Sequence, residues 1–92
     1  MIKMRKRKFN GTLLVLAKLG EEDGISMLRL QELTGIRNWS TLNNAVKTLK
    51  ELGFVEEEIT EGPPVKRIIK LTSKGYKAAK LAQELLKLAG LL

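Results

Sequence analysis

A mainly α-helical domain with one β-hairpin at its side is the fold class this chain predicts. Three observations predict it. From Leu42, the apolar residues Ala45, Val46, Leu49 and Leu52 keep the i, i+3, i+4, i+7 spacing of a half-buried helix. Phe54 to Thr60 and Val65 to Leu71 are two strand-like runs flanking the turn signal Glu61-Gly62-Pro63-Pro64. From Ala78, the residues Leu81, Leu85, Leu88 and Leu92 recur in alternating steps of 3 and 4, the spacing of a helical seam.

The elements follow in order. Thr12 to Leu19 (TLLVLAKL) is a short apolar helix. Asn10-Gly11 is either its cap or a tolerated break, and Gly20 is expected to end it. An acidic loop, Gly20 to Gly24, comes next. Ile25 stands alone between Gly24 and Ser26, enough for a strand of one bridge. Ser26 has the residue type of an N-cap for a second helix, Met27 to Thr34, whose inner side is Leu30 and Leu33 supported by Met27. Gly35 supplies the left-handed residue that stops it, and Ile36 tucks back beneath. Asn38 caps the third helix. At about 100° per residue, Ser40, Asn44, Lys47 and Glu51 fall opposite its apolar stripe, with Asn43 and Thr48 on the flanks. Gly53 stops that helix and the hairpin follows. Thr72 or Ser73 caps a last helix running to about Leu92. A lone two-stranded ribbon is marginal in water, so it must pack on the helices. The compact arrangement is a winged helix-turn-helix, with a three-helix core and the hairpin as its wing.

Length and composition bound the rest. The 92 residues suit one domain, divided here into a basic arm (1–8), a winged helix-turn-helix body (9–75) and a C-terminal dimerisation helix (76–92). There is no cysteine and no histidine, so disulfides, an imidazole base and the usual zinc, copper and iron sites are excluded. The acidic residues form no plausible catalytic pair, and neither an enzyme nor a metal or cofactor is expected. No apolar run reaches the ~20 residues of a membrane span, and no secretory signal is visible. A cytoplasmic, nucleoid-associated location is expected. The net charge is +7, and Lys3, Arg5, Lys6, Arg7 and Lys8 account for +5 of it, leaving the remaining body at +2. Such an arm either attracts a polyanion or serves as a solubilising tail. It lacks the interleaved apolar anchors of a membrane-surface segment.

Three pieces now stand in order: GISMLRLQELTGI, NWSTLNNAVKTLKELGFV and IIKLTSKG. From Gly24 to Gly75 the chain resembles the winged helix-turn-helix DNA-binding domains of MarR-class regulators and their small archaeal relatives. The resemblance covers over half the chain. It implies double-stranded DNA as partner, a homodimer, the third helix in the major groove and the hairpin near the backbone.

The residues of the third helix suit that role. Asn43 and Asn44 offer planar amides of the kind that pair with adenine. Ser40 and Thr41 suit phosphate or base contacts, and Lys47 a phosphate or a guanine. Arg37, just before the cap, suits the backbone. Trp39 is either packed on the second helix or in contact with a sugar or thymine methyl. On the wing, Lys66 and Arg67 are phosphate candidates, as are Arg5, Lys6, Arg7 and Lys8 of the arm. The wing tip departs from the family's basic pattern, since it is Glu61-Gly62-Pro63-Pro64. Glu56, Glu57 and Glu58 are expected to face away from DNA or to sit at a sheet edge, where charge discourages stray pairing.

The last helix carries the expected dimer interface. Ala78, Leu81, Leu85, Leu88 and Leu92 form its seam, widened by Tyr76, Ala82, Leu86 and Ala89. One apolar stripe suffices to cover the helix's own domain, so the second points to another copy of the chain. The function expected is sequence-specific DNA binding by a homodimeric transcription regulator. The alternatives are a sequence-independent architectural chromatin protein and a winged-helix protein-interaction module.

Overall fold

The elements, in chain order, are α1 (Asn10–Glu21), β1 (Ile25–Ser26), α2 (Met27–Thr34), α3 (Trp39–Glu51), β2 (Val55–Ile59), β3 (Arg67–Leu71) and α4 (Ser73–Leu88). The structure is a computed structural model and describes residues 10–90. The basic arm and Leu92 lie outside the described residues.

Val15, Leu16, Ala17 and Leu19 of α1 are all buried, so α1 is covered on most sides. It packs on α4, α3 and α2. The helix does not stop at Gly20, as its sequence suggests, but continues to Glu21. A Cβ at Gly20 would lie 2.5 Å from Gln83 Nε2 and 3.1 Å from the Ala79 side chain. The absent side chain lets α4 approach, and Gln83 Nε2 donates to the Ala17 carbonyl at 3.0 Å. This glycine therefore serves a helix contact rather than a helix end.

The two helices of the central motif are set by their caps. Ser26 Oγ accepts from Arg29 N at 3.2 Å and starts α2. Gly35, at φ 73°, ends it in the left-handed conformation that favours glycine. Asn38 Oδ1 accepts from Thr41 N at 3.1 Å and starts α3. Leu42, Ala45, Val46 and Leu49 are buried along one side of α3. Leu52, which the spacing assigns to the same stripe, is exposed instead. Leu52 is the C-cap, at the helix end beyond Leu49, the last buried position of the stripe.

The three strands are antiparallel in the order β1-β3-β2, which leaves β2 at an edge. The wing register runs from Val55 opposite Leu71 to Ile59 opposite Arg67. Both strands are shorter than their sequence signals, because Thr60 N donates to the Lys66 carbonyl and Lys66 N to Thr60 Oγ1, each at 2.9 Å, closing the loop early. β1 pairs Ile25 with Ile69 and Ser26 with Ile68, one bridge more than expected. Asp23 then adds a side-chain rung, its Oδ1 accepting from Leu71 N at 2.8 Å. The acidic loop is thus part of the sheet's hydrogen bonding.

Thr72 caps α4, its Oγ1 accepting from Gly75 N at 3.0 Å. Ala79, Ala82 and Leu86 are buried toward the core. Among the described residues no polar or charged residue is buried, and no helix is long and apolar enough to cross a membrane.

Candidate nucleic-acid interface

The buried stripe of α3 fixes which side faces out. Ser40, Thr41, Asn44, Lys47 and Thr48 are exposed together, and Asn43 is half-buried at their flank. Arg37 is exposed just before the cap, and its carbonyl accepts from Gln31 Nε2 at 3.1 Å, which ties the turn to α2. The helix N-terminus is open to solvent apart from the single Asn38 cap, and its orphan N–H groups and dipole favour an anion there.

Two grooves flank this face. On one side Gly11 and Thr12 of α1 line a groove of about 250 Å³ with Thr41, Asn44, Ala45 and Thr48. The chain therefore joins its N-terminal segment to the fold beside the polar face of α3, a placement that the sequence alone does not reveal. On the other side Asn43, Val46, Lys47, Lys50 and Arg67 line a groove between α3 and the wing. Near the helix start, Leu28, Trp39, Pro64 and Val65 form the apolar part of a cleft of about 430 Å³, with Lys66 and Arg67 among its other lining residues. Trp39 is exposed there, as are Leu28 and Val65. Leu28 has a single signal in the sequence, its position outside the Met27–Leu30 stripe.

The cations differ in their availability. Lys66 is exposed on the wing loop. Arg67, the other wing phosphate candidate, is half-buried and already paired: its Nε donates to Glu57 Oε2 and its Nη2 to Glu57 Oε1, the latter at 3.3 Å. Lys50 Nζ of α3 donates to the same Oε1 at 2.9 Å. All three glutamates lie on the edge strand β2, as expected, but their side chains differ in surroundings. Alternation puts Val55, Glu57 and Ile59 on the face turned toward α3, and the Glu57 side chain is only 9% exposed. Glu56 and Glu58 are exposed on the edge strand, and Glu58 pairs with Lys70 at 2.9 Å.

Hydrogen bonding from Arg67, aided by Lys50 and opposed by partial burial, pulls the Glu57 carboxyl down to about 2 from its ordinary 4.5. A carboxyl held lower in the folded state contributes stability in full above its unfolded value and loses it as pH falls through the folded one. The urea midpoint should therefore decline between pH 4.5 and 2. A Glu57→Gln variant should lack this group's share of the decline. Matching pH profiles for the two proteins would show that the clamp adds nothing to stability.

On α4, Leu81, Leu85, Leu88 and Ala89 are exposed on the outer side, while Ala78 is half-buried. Ala82, placed in the dimer seam by spacing, is in the protomer core instead, beside Ala79 and Leu86. Tyr76 is exposed and its hydroxyl donates to Asp23 Oδ2, a contact that raises the phenol pKa. Among the described residues no group of histidine, cysteine or acidic side chains is disposed to hold a metal ion.

The capped helix pair, the outward polar side of its second helix and the flanking hairpin define a winged helix-turn-helix domain. It is structurally homologous to MarR-family winged helix-turn-helix regulators. The chain is similar to F-93 of SSV1, with 26% identity and a TM-score of 0.74 over 86% of this chain and 88% of that one. It is similar to a MarR transcriptional regulator from Methanosarcina mazei, with 26% identity and a TM-score of 0.71 over 88% and 53%. It also resembles a MarR-family regulator from Silicibacter pomeroyi in fold, with 22% identity and a TM-score of 0.73 over 86% and 52%. The chain spans about half the length of these two regulators. No family model and no curated protein matches it.

Proposed function

We propose that this chain binds double-stranded DNA sequence-specifically as a homodimer and regulates transcription. The carrying observation is the division of α3: Leu42, Ala45, Val46 and Leu49 are buried, while Ser40, Thr41, Asn44 and Lys47 face solvent. The helix thus presents hydroxyl, amide and ammonium groups at the end that enters the major groove in this motif. Structural similarity to MarR regulators supports the same reading. Arg37 before the helix cap and Lys66 on the wing loop are exposed cations that would hold phosphates. The described chain starts beside α3, with Gly11 and Thr12 lining a groove with Thr41, and in this reading Lys3, Arg5, Lys6, Arg7 and Lys8 would add phosphate attraction. Trp39 lines an apolar cleft with Met27 and Leu28 of α2 and Val65 of the wing loop, and in this reading its exposed indole would meet a sugar or a thymine methyl.

The test is selection of bound fragments from random duplex DNA, followed by titration of wild type and Asn44→Ala on the selected and a random duplex. A bidentate amide–adenine pair contributes about 1–3 kcal/mol of discrimination. Asn44→Ala should therefore weaken the selected duplex roughly 5- to 150-fold and the random duplex little. Equal weakening of both would move Asn44 to backbone positioning. Failure to enrich any sequence would favour the architectural alternative.

A further inference from the structure

We propose that Glu57 is the positioning residue that fastens the wing to the recognition helix, and that DNA specificity depends on this fastening. The proposal rests on the DNA-binding function proposed above.

Val55 is the last buried residue of β2, and Ile59 at its far end is exposed. On β3 burial ends at Ile69, and Arg67 is only half-buried. The outer half of the hairpin therefore projects past the apolar core, with little packing to set its angle. Glu57 sits at that limit. Its carboxylate takes Lys50 from α3 at 2.9 Å and Arg67 from β3 at 3.3 Å through Nη2. One carboxylate on β2 thus joins both strands of the wing to the helix that would enter the major groove. Charge-assisted hydrogen bonds of this kind are directional, and the carboxylate end of this one is largely covered, with the Glu57 side chain 9% exposed while Lys50 stays 46% exposed.

Electrostatics alone argue against a glutamate here. The groove it borders also contains Lys47, Lys50 and Arg67, and a carboxylate among them weakens attraction for a polyanion. Two roles for Glu57 therefore give opposite expectations. If it only offsets charge, its neutralisation strengthens DNA binding and leaves sequence preference alone. If it positions the wing, its neutralisation strengthens random binding but loosens the geometry that reads a site.

Glu58 supplies the control. It is the adjacent residue, exposed, and paired only with Lys70 of the neighbouring strand at 2.9 Å. Glu57→Gln and Glu58→Gln change net charge equally. In salt titrations of the full chain on a selected and a random duplex, Glu58→Gln should strengthen both to a similar degree. Glu57→Gln should strengthen the random duplex similarly while the selected-to-random affinity ratio falls about tenfold, a size typical of coupling between sites. The backbone amides of Thr60, Glu61, Gly62, Val65 and Lys66 should exchange hydrogen faster in Glu57→Gln than in Glu58→Gln. Should Glu57→Gln fail to fold, Glu57→Asp keeps the charge but shortens the reach, and its ratio should fall with no change in salt slope. Equal ratios and equal wing exchange in the Glu57 and Glu58 variants would overturn the proposal. If the wild type binds no duplex, the functional reading fails, and the exchange comparison still decides whether Glu57 fastens the wing.

Discussion

Replacing Leu81 and Leu85 by glutamate should leave the protomer folded and abolish its pairing. Leu81 is 66% exposed and Leu88 is 87% exposed, and with Leu85 they form the outer side of α4. The inner side, Ala79, Ala82 and Leu86, already fills the core. Neither replaced side chain supports the protomer's own packing to a large extent, so unfolding midpoints measured at low concentration should change little. Covering each leucine in a partner contributes roughly 1.5–3 kcal/mol, and a carboxylate there must instead be stripped of water. On a duplex with two half-sites, loss of the second subunit removes the intramolecular second contact, which is worth about 10²–10⁴ in affinity. Sedimentation equilibrium and titration on one-site and two-site duplexes measure both effects. A variant that stays dimeric would place the subunit contact elsewhere, and a wild type that is monomeric at tens of micromolar (roughly the range where weak dimers separate) would remove the dimer from the proposed function.

Gly75→Ala should cost the domain much of its stability. Gly75 lies in the first turn of α4, and a Cβ there would lie 1.9 Å from the Phe54 carbonyl oxygen and 2.8 Å from its carbon. That oxygen is held in place, since it accepts from Thr72 N at 3.0 Å. The obstacle is backbone on one side and a capped helix on the other, so no flexible side chain can move away. Overpacking against such a site costs about 3–5 kcal/mol, at the severe end for point substitutions. At about 4–8 °C per kcal/mol for a domain of this size, the melting temperature should drop by roughly 12–40 °C. The sign alone is informative. In an unobstructed helix the same change stabilises by about 1 kcal/mol, so a raised melting temperature would mean that α4 shifts to accommodate the methyl.

The parts of this fold legible in the sequence are those decided locally. Ser26, Asn38 and Thr72 cap helices because a side-chain oxygen needs only the next few amides. The buried side of α3 follows from periodicity, and so does its outward polar face. What escaped the sequence depends on elements meeting across the fold. Gly20 has the form of a helix stop, yet the approach of α4 determines its role. Two apolar stripes share α4, and spacing does not say which one turns inward; Ala82 and Leu86 fit the seam by spacing yet are buried in the protomer. Glu57 has two glutamate neighbours with nothing in composition to separate them. Only strand register and the nearness of Lys50 turn it into a clamp, and this in turn restrains Arg67 as a phosphate ligand.

The base of α4 is bolted to the far end of α3. Thr72 Oγ1 donates to the Gly53 carbonyl at 2.7 Å, and Lys74 Nζ donates to the Leu52 carbonyl at 3.0 Å. Tyr76 adds a tie to Asp23, which itself holds β3. In a pair joined through α4, the two reading heads would therefore sit on one stiff frame with no hinge between strut and head. Such a frame acts as a ruler: it accepts targets whose halves lie at one separation and rotational phase, and it rejects the same halves set apart by a few extra base pairs.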